Sequence, residues 1–216
     1  MHHLPDDPHA GQPVLTTGRP LDEAGAAMIL VHGRGATAES ILTLAQELPN
    51  PEFAYLAPQA AYNAWYPQRF IAPFAANEPF LSAALAKVGA VLAQVEAAGI
   101  PPERIVLGGF SQGACLALEF AARNPRRYGG LVALSGGLIG PLGHKFSYDG
   151  SLDGTPVFIG CSDSDFHIPV ERVHESAEVL AGLGGQVDKR IYPGMGHTVN
   201  MDEIEAVRQL LAAVPA

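Results

Sequence analysis

Short apolar runs and longer segments of helical periodicity alternate along this chain from residue 26 onward. Residues 26–32 (AAMILVH) form an unbroken apolar run ending at Gly33, the pattern of a strand buried on both faces. Thr37 then offers an N-cap for a helix whose buried stripe is Ile41, Leu42, Leu44, Ala45 and Leu48. Residues 53–58 read as the next strand, and a long aromatic loop follows over 59–77. Periodicity through Leu81, Leu85, Val88, Leu92 and Val95 predicts a helix over 78–98, stopped by Gly99, Pro101 and Pro102.

The alternation continues with predicted strands at 104–110 (RIVLGGF), 130–135 (GLVALS) and 156–161 (PVFIGC). Helices are predicted at 114–123 and 169–183, and residues 136–154 are glycine-rich and loop-like. Residues 186–192 (QVDKRIY) alternate as a strand nearer an edge would, and 202–211 close as a helix. Strands separated by helices of crossover length predict one α/β domain, a mostly parallel sheet covered by helices on both faces. Residues 1–20 read as a loose arm with one short strand near 14–17, and residues 21–216 as the domain.

Composition narrows the partners. Hydrophobic residues make up 48% of the chain and charged ones 16%, which excludes a disordered, highly solvated polymer. Thirteen basic against 22 acidic residues give a net charge of −9 with no basic cluster, so nucleic acid is not an expected partner. The two cysteines, Cys115 and Cys161, sit in apolar runs and exclude a disulfide scaffold. Cys115 is expected to face the sheet as small core filler. The longest apolar runs are strand-sized and residues 1–13 lack an apolar signal core. No membrane span is expected, and the expected location is cytoplasmic. The sequence leaves a homodimer open.

Ligands of such sheets bind at the carboxyl ends of the strands, so strand-to-helix loops are where chemistry should sit. Gly109-Phe110-Ser111-Gln112-Gly113 lies between a predicted strand and a predicted helix. A serine on so sharp a turn exposes its hydroxyl above the sheet, and the positions two before and two after it must be small. The plain alternative is an ordinary glycine-rich turn. A nucleophilic serine needs a base, and His197, in the loop between the last strand and the last helix, is the histidine placed to serve. The acid should lie on the loop after strand 156–161, where Asp163 and Asp165 are both candidates. Asp163, Asp165, His167, Glu171 and His174 could instead gather a divalent cation, although their spacing matches no known ligand set. The loop after His32 could supply one oxyanion N–H, alongside the amide of Gln112. Trp65, Tyr66 and Phe70 read equally as a pocket wall for an apolar group and as a satellite core.

The blocks LVHGRG, GGFSQGA, GCSDSDFHIP and GMGHTV, in that order, resemble the phospholipase/carboxylesterase family of α/β-hydrolases, relatives of acyl-protein thioesterases. The resemblance implies a single-domain α/β-hydrolase fold and a serine enzyme that cleaves a small-molecule ester or thioester, with no cofactor and no metal. By motif position it implies Ser111 as nucleophile, Asp165 as acid, His197 as base, and the amides of Arg34 and Gln112 as oxyanion donors. The expected function is that of a carboxylesterase. Lysophospholipase or acyl-protein thioesterase activity with the same triad is the nearer alternative, and a non-catalytic receptor on this fold the more distant one. The thioesterases usually carry leucine at the position of Arg34 and an acidic residue at that of Ala36. A charge there is expected to disfavour long acyl chains.

Overall fold

The computed structural model describes residues 7–215. Seven strands form one sheet in the order β1-β3-β2-β4-β5-β6-β7. They are β1 (Val14–Gly18), β2 (Ala26–Val31), β3 (Phe53–Pro58), β4 (Ile105–Phe110), β5 (Gly130–Leu134), β6 (Pro156–Ser162) and β7 (Gln186–Tyr192). All neighbours pair in parallel except β1, which runs antiparallel to β3 with Val14 opposite Pro58.

The apolar runs become central strands because both faces are covered. Along β2, Ala27, Ile29 and Val31 face one core, while Ala26, Met28 and Leu30 face the other. The first core is closed by helices α2 (Phe80–Ala97), α3 (Gln112–Arg123) and α4 (Val170–Gly182). The second is closed by α1 (Ala38–Glu47) and α5 (Met201–Ala212). Thr37 caps α1 through a capping box with Ser40, and Asn200 caps α5 through one with Glu203. By length and composition α2 could cross a membrane. Here its apolar side, including Leu81, Val88 and Val95, is buried against the sheet as a core helix.

The arm is not loose from Asp7 onward. β1 completes the sheet edge, and His9 is fully buried. Its Nε2 bonds the Trp65 carbonyl at 3.0 Å and its Nδ1 accepts the Ala61 N–H at 3.1 Å. A histidine satisfied by two backbone groups belongs to the core although no hydrophobic pattern announces it. His2 and His3 lie outside the described residues.

Candidate active site

Ser111 occupies the turn from β4 into α3 with φ 56° and ψ −120°. Such a conformation costs a non-glycine residue about 1–3 kcal/mol and persists only where its surroundings over-determine it. Here the Ser111 N–H donates to the Leu134 carbonyl at 2.9 Å, and the Ser111 carbonyl accepts the Cys115 N–H at 3.0 Å. The flanking glycines are required by the neighbouring strand as much as by the turn. A Cβ on Gly113 would lie 2.0 Å from the Val31 carbonyl oxygen, and one on Gly109 would lie 2.4 Å from the same atom.

His197 reaches Ser111 from the β7–α5 loop, with Nε2 2.9 Å from Oγ. Its Nδ1 is 2.6 Å from Oδ2 of Asp165, whose side chain is fully buried on the β6–α4 loop. The other oxygen of Asp165 accepts the N–H groups of His167 at 2.8 Å and Ile168 at 3.1 Å. A carboxylate accepts only, so this network puts the imidazole proton on Nδ1 and leaves the Nε2 lone pair facing the serine hydroxyl. The rings of Phe110 and His167 pack against His197 with centroids 4.8 and 4.7 Å away.

The geometry separates the two aspartates. Asp163 is exposed and accepts the Gly194 N–H at 2.8 Å, while Ser162 Oγ accepts the Gly196 N–H at 3.0 Å. Together they brace the loop carrying His197, a role the sequence reading did not assign to Ser162. The cation reading finds no assembled site. His174 instead meets Lys189 at 2.6 Å, and among the described residues no three His, Cys, Asp or Glu side chains are grouped to hold an ion.

Arg34 and Gln112 line the cavity beside Ser111, and their amides have no acceptor among the described residues. Both side chains have further work. Arg34 donates to the carbonyls of Pro67 at 2.7 Å, Tyr66 at 2.9 Å and Gln68 at 2.5 Å. The guanidinium expected to obstruct the acyl path is therefore tied to the loop wall. Gln112 accepts the Trp65 N–H at 2.8 Å and donates to the Tyr66 carbonyl at 2.9 Å.

The aromatic loop divides between the two expected roles. Trp65 is core rather than pocket wall. It is fully buried between His9 and His32, with ring centroids 5.3 and 5.1 Å away, and its indole N–H donates to the His32 carbonyl at 2.9 Å. Tyr66 and Phe70 are buried too, but they line a cavity of about 400 Å³ beside Ser111. Cys115 packs in the core as expected and also lines this cavity. Burial pushes its thiol up to about 12, which leaves no reactive thiolate at neutral pH.

A serine on a strained strand-to-helix turn, relayed through histidine to a buried aspartate above a mostly parallel sheet, defines an α/β-hydrolase. The chain matches the Phospholipase/Carboxylesterase family over residues 14–214 and belongs to that family. A crystal structure of a phospholipase/carboxylesterase from Dyadobacter fermentans superposes with a TM-score of 0.89 at 45% identity, covering 94% of this chain and 97% of that one. Acyl-protein thioesterase 1 of Gibberella zeae is 40% identical over 118 residues, 52% of this chain and 49% of that protein. The chain thus spans about half the length of the acyl-protein thioesterases it matches. A rice protein described as a probable carboxylesterase is 28% identical over 84% of this chain and 85% of its own.

Proposed function

We propose that this chain is a serine carboxylesterase acting on small carboxylic esters through an acyl-enzyme. The observation that carries the reading is the continuous relay from Ser111 Oγ through His197 to Asp165, at 2.9 and 2.6 Å. Ser111 Oγ attacks the ester carbonyl carbon while His197 Nε2 takes its proton. The oxyanion forms against the Arg34 and Gln112 amides. On collapse, His197 returns the proton to the leaving alkoxide, and the acyl group remains on Ser111. Water, deprotonated by His197, then releases the acid and restores the serine. Asp165 keeps the imidazole in the productive tautomer and stabilises its cationic form. Two buried free cysteines suit a reducing, cytoplasmic setting.

The 400 Å³ cavity favours small substrates. A second reading, acyl-protein thioesterase or lysophospholipase, draws on the fungal relatives. It also draws on a larger groove of about 790 Å³ that meets the first cavity at His197 and runs between α1 and the start of α5. A fluorophosphonate probe that labels Ser111 separates hydrolase from receptor, and absence of labelling refutes both readings. A chain-length series of p-nitrophenyl esters with a matched thioester separates the two. Faster turnover of butyryl than of palmitoyl substrates supports the carboxylesterase, and the opposite order the thioesterase.

A further inference from the structure

The cavity beside Ser111 is lined by cationic side chains in a chain of net charge −9. Arg34 and Arg69 line it, and no aspartate or glutamate does. Arg19, Arg123, Arg126, Arg172, Arg190 and Arg208 each face a carboxylate; neither cavity arginine does among the described residues, and outside the cavity Arg104 and Arg127 share that lack. Arg34 is satisfied by three neutral carbonyls, which leave its charge uncompensated. Arg69 is exposed, and its side chain makes one hydrogen bond among the described residues, to the carbonyl of His167, which also lines the cavity, at 3.3 Å. Of the buried acids around the site, Asp165 is bonded to His197 at 2.6 Å and Glu119 is paired with Arg123 at 2.6 Å, so neither pairs with Arg69.

An alkyl group packed here would desolvate guanidinium and gain no partner for it. A carboxylate on the substrate supplies that partner. It takes charge-assisted hydrogen bonds from a guanidinium whose remaining N–H groups have no acceptor among the described residues.

We propose that this cavity holds an anion subsite centred on Arg69, which selects esters bearing a carboxylate, such as monoalkyl esters of short dicarboxylic acids. The substrate class rests on the esterase reading above, whereas the subsite itself does not.

The test pairs each anionic ester with the neutral ester that has methyl in place of carboxylate. Ethyl hydrogen succinate, glutarate and adipate are set against ethyl butanoate, pentanoate and hexanoate, with ethanol release as the readout. At low salt the anionic member of at least one pair is expected to show about tenfold higher kcat/KM. That ratio should shrink as salt rises, because the cation lies at a solvated rim. Arg69→Gln should bring the ratio toward one, and Arg69→Lys should keep part of it, whereas a merely structural role would lower both esters alike. Calorimetry with glutarate reads the subsite without turnover. Equal kcat/KM within all three pairs, unmoved by Arg69→Gln, together with no glutarate binding, overturns the subsite and leaves the esterase reading standing. Glutarate binding that Arg69→Gln abolishes, with no ester turned over, upholds the subsite and overturns the esterase reading.

Discussion

The guanidinium of Arg34 and the carboxamide of Gln112 meet on one acceptor, the Tyr66 carbonyl, each at 2.9 Å. The two residues whose amides flank Ser111 are thus cross-linked through the wall of the cavity. Gln112→Leu should be the more damaging change, since it strands the buried Trp65 N–H and takes one of its two donors from the Tyr66 carbonyl. A loss of about 1–3 kcal/mol is expected, seen as a fall in Tm of about 2–4 °C per kcal/mol. Arg34→Ala exposes its carbonyls to water, which can replace the donors, so its Tm should fall by less. Thermal unfolding of both variants checks the order.

Ser111→Ala should lose turnover by a factor on the order of 10⁶ with its fold intact, because it removes the attacking oxygen and little else. Ser111→Gly should be equally inactive. It should also be about 1 kcal/mol more stable than the alanine variant, since glycine relieves the strain of the positive φ. A denaturation midpoint for the glycine variant below that of the alanine variant would contradict a strained elbow.

The aspartates should part company on isosteric change. Asp165→Asn keeps its shape but has one oxygen where two are used, by Nδ1–H and by the His167 and Ile168 amides, so its NH2 can face the imidazole and hold the wrong tautomer; turnover should drop roughly 10⁴-fold as it does in chymotrypsin-type triads. Asp163→Asn still offers an oxygen to the Gly194 N–H, so most activity should survive. Steady-state rates of the two variants decide it, and the reverse pattern would move the acid role to Asp163.

Stability should respond to pH on both flanks of neutrality. Burial lowers the pKa of His9 and His32 below the ordinary value of 6.5. Each ring already donates from one nitrogen and accepts a backbone N–H on the other. The unfolded chain therefore binds more protons than the native one below pH 6.5, and the histidine contribution, complete above that pH, is lost as pH falls. Glu203 acts in the opposite sense. Burial raises its carboxyl from 4.5 to about 7, and one of its oxygens has no partner. Its contribution is complete below pH 4.5 and is lost as pH rises through 7. Relative to the wild type, Glu203→Gln should gain stability between pH 5 and 8, by at most about 3 kcal/mol. Chemical denaturation across that range measures the gain, and a constant difference would refute the buried-carboxylate argument.

Much of the molecule was legible in the sequence because period and punctuation are local. Strands β3 and β7 fall on the expected residues, and most other elements differ by one or two at an end. The start of α3 was missed by two residues because the helix begins directly at Gln112, in the turn itself. The pairing of Ser111 with His197 was readable because the elbow has a fixed spacing and the sheet has one carboxyl edge. What stayed hidden is long-range and polar. Nothing near Gln112 in the chain says that its carboxamide will find Trp65 and Tyr66, 47 and 46 residues away. Likewise His9 looks like a solvated residue of a polar arm until Ala61 and Trp65 are seen to satisfy both its nitrogens.

Trp65 is the single tryptophan of the chain, and it sits between two imidazoles that resist protonation. Its intrinsic fluorescence therefore reports on one place, the base of the loop that walls the cavity. The protein carries its own optical gauge of that wall, one that can follow its loosening in acid separately from unfolding of the sheet.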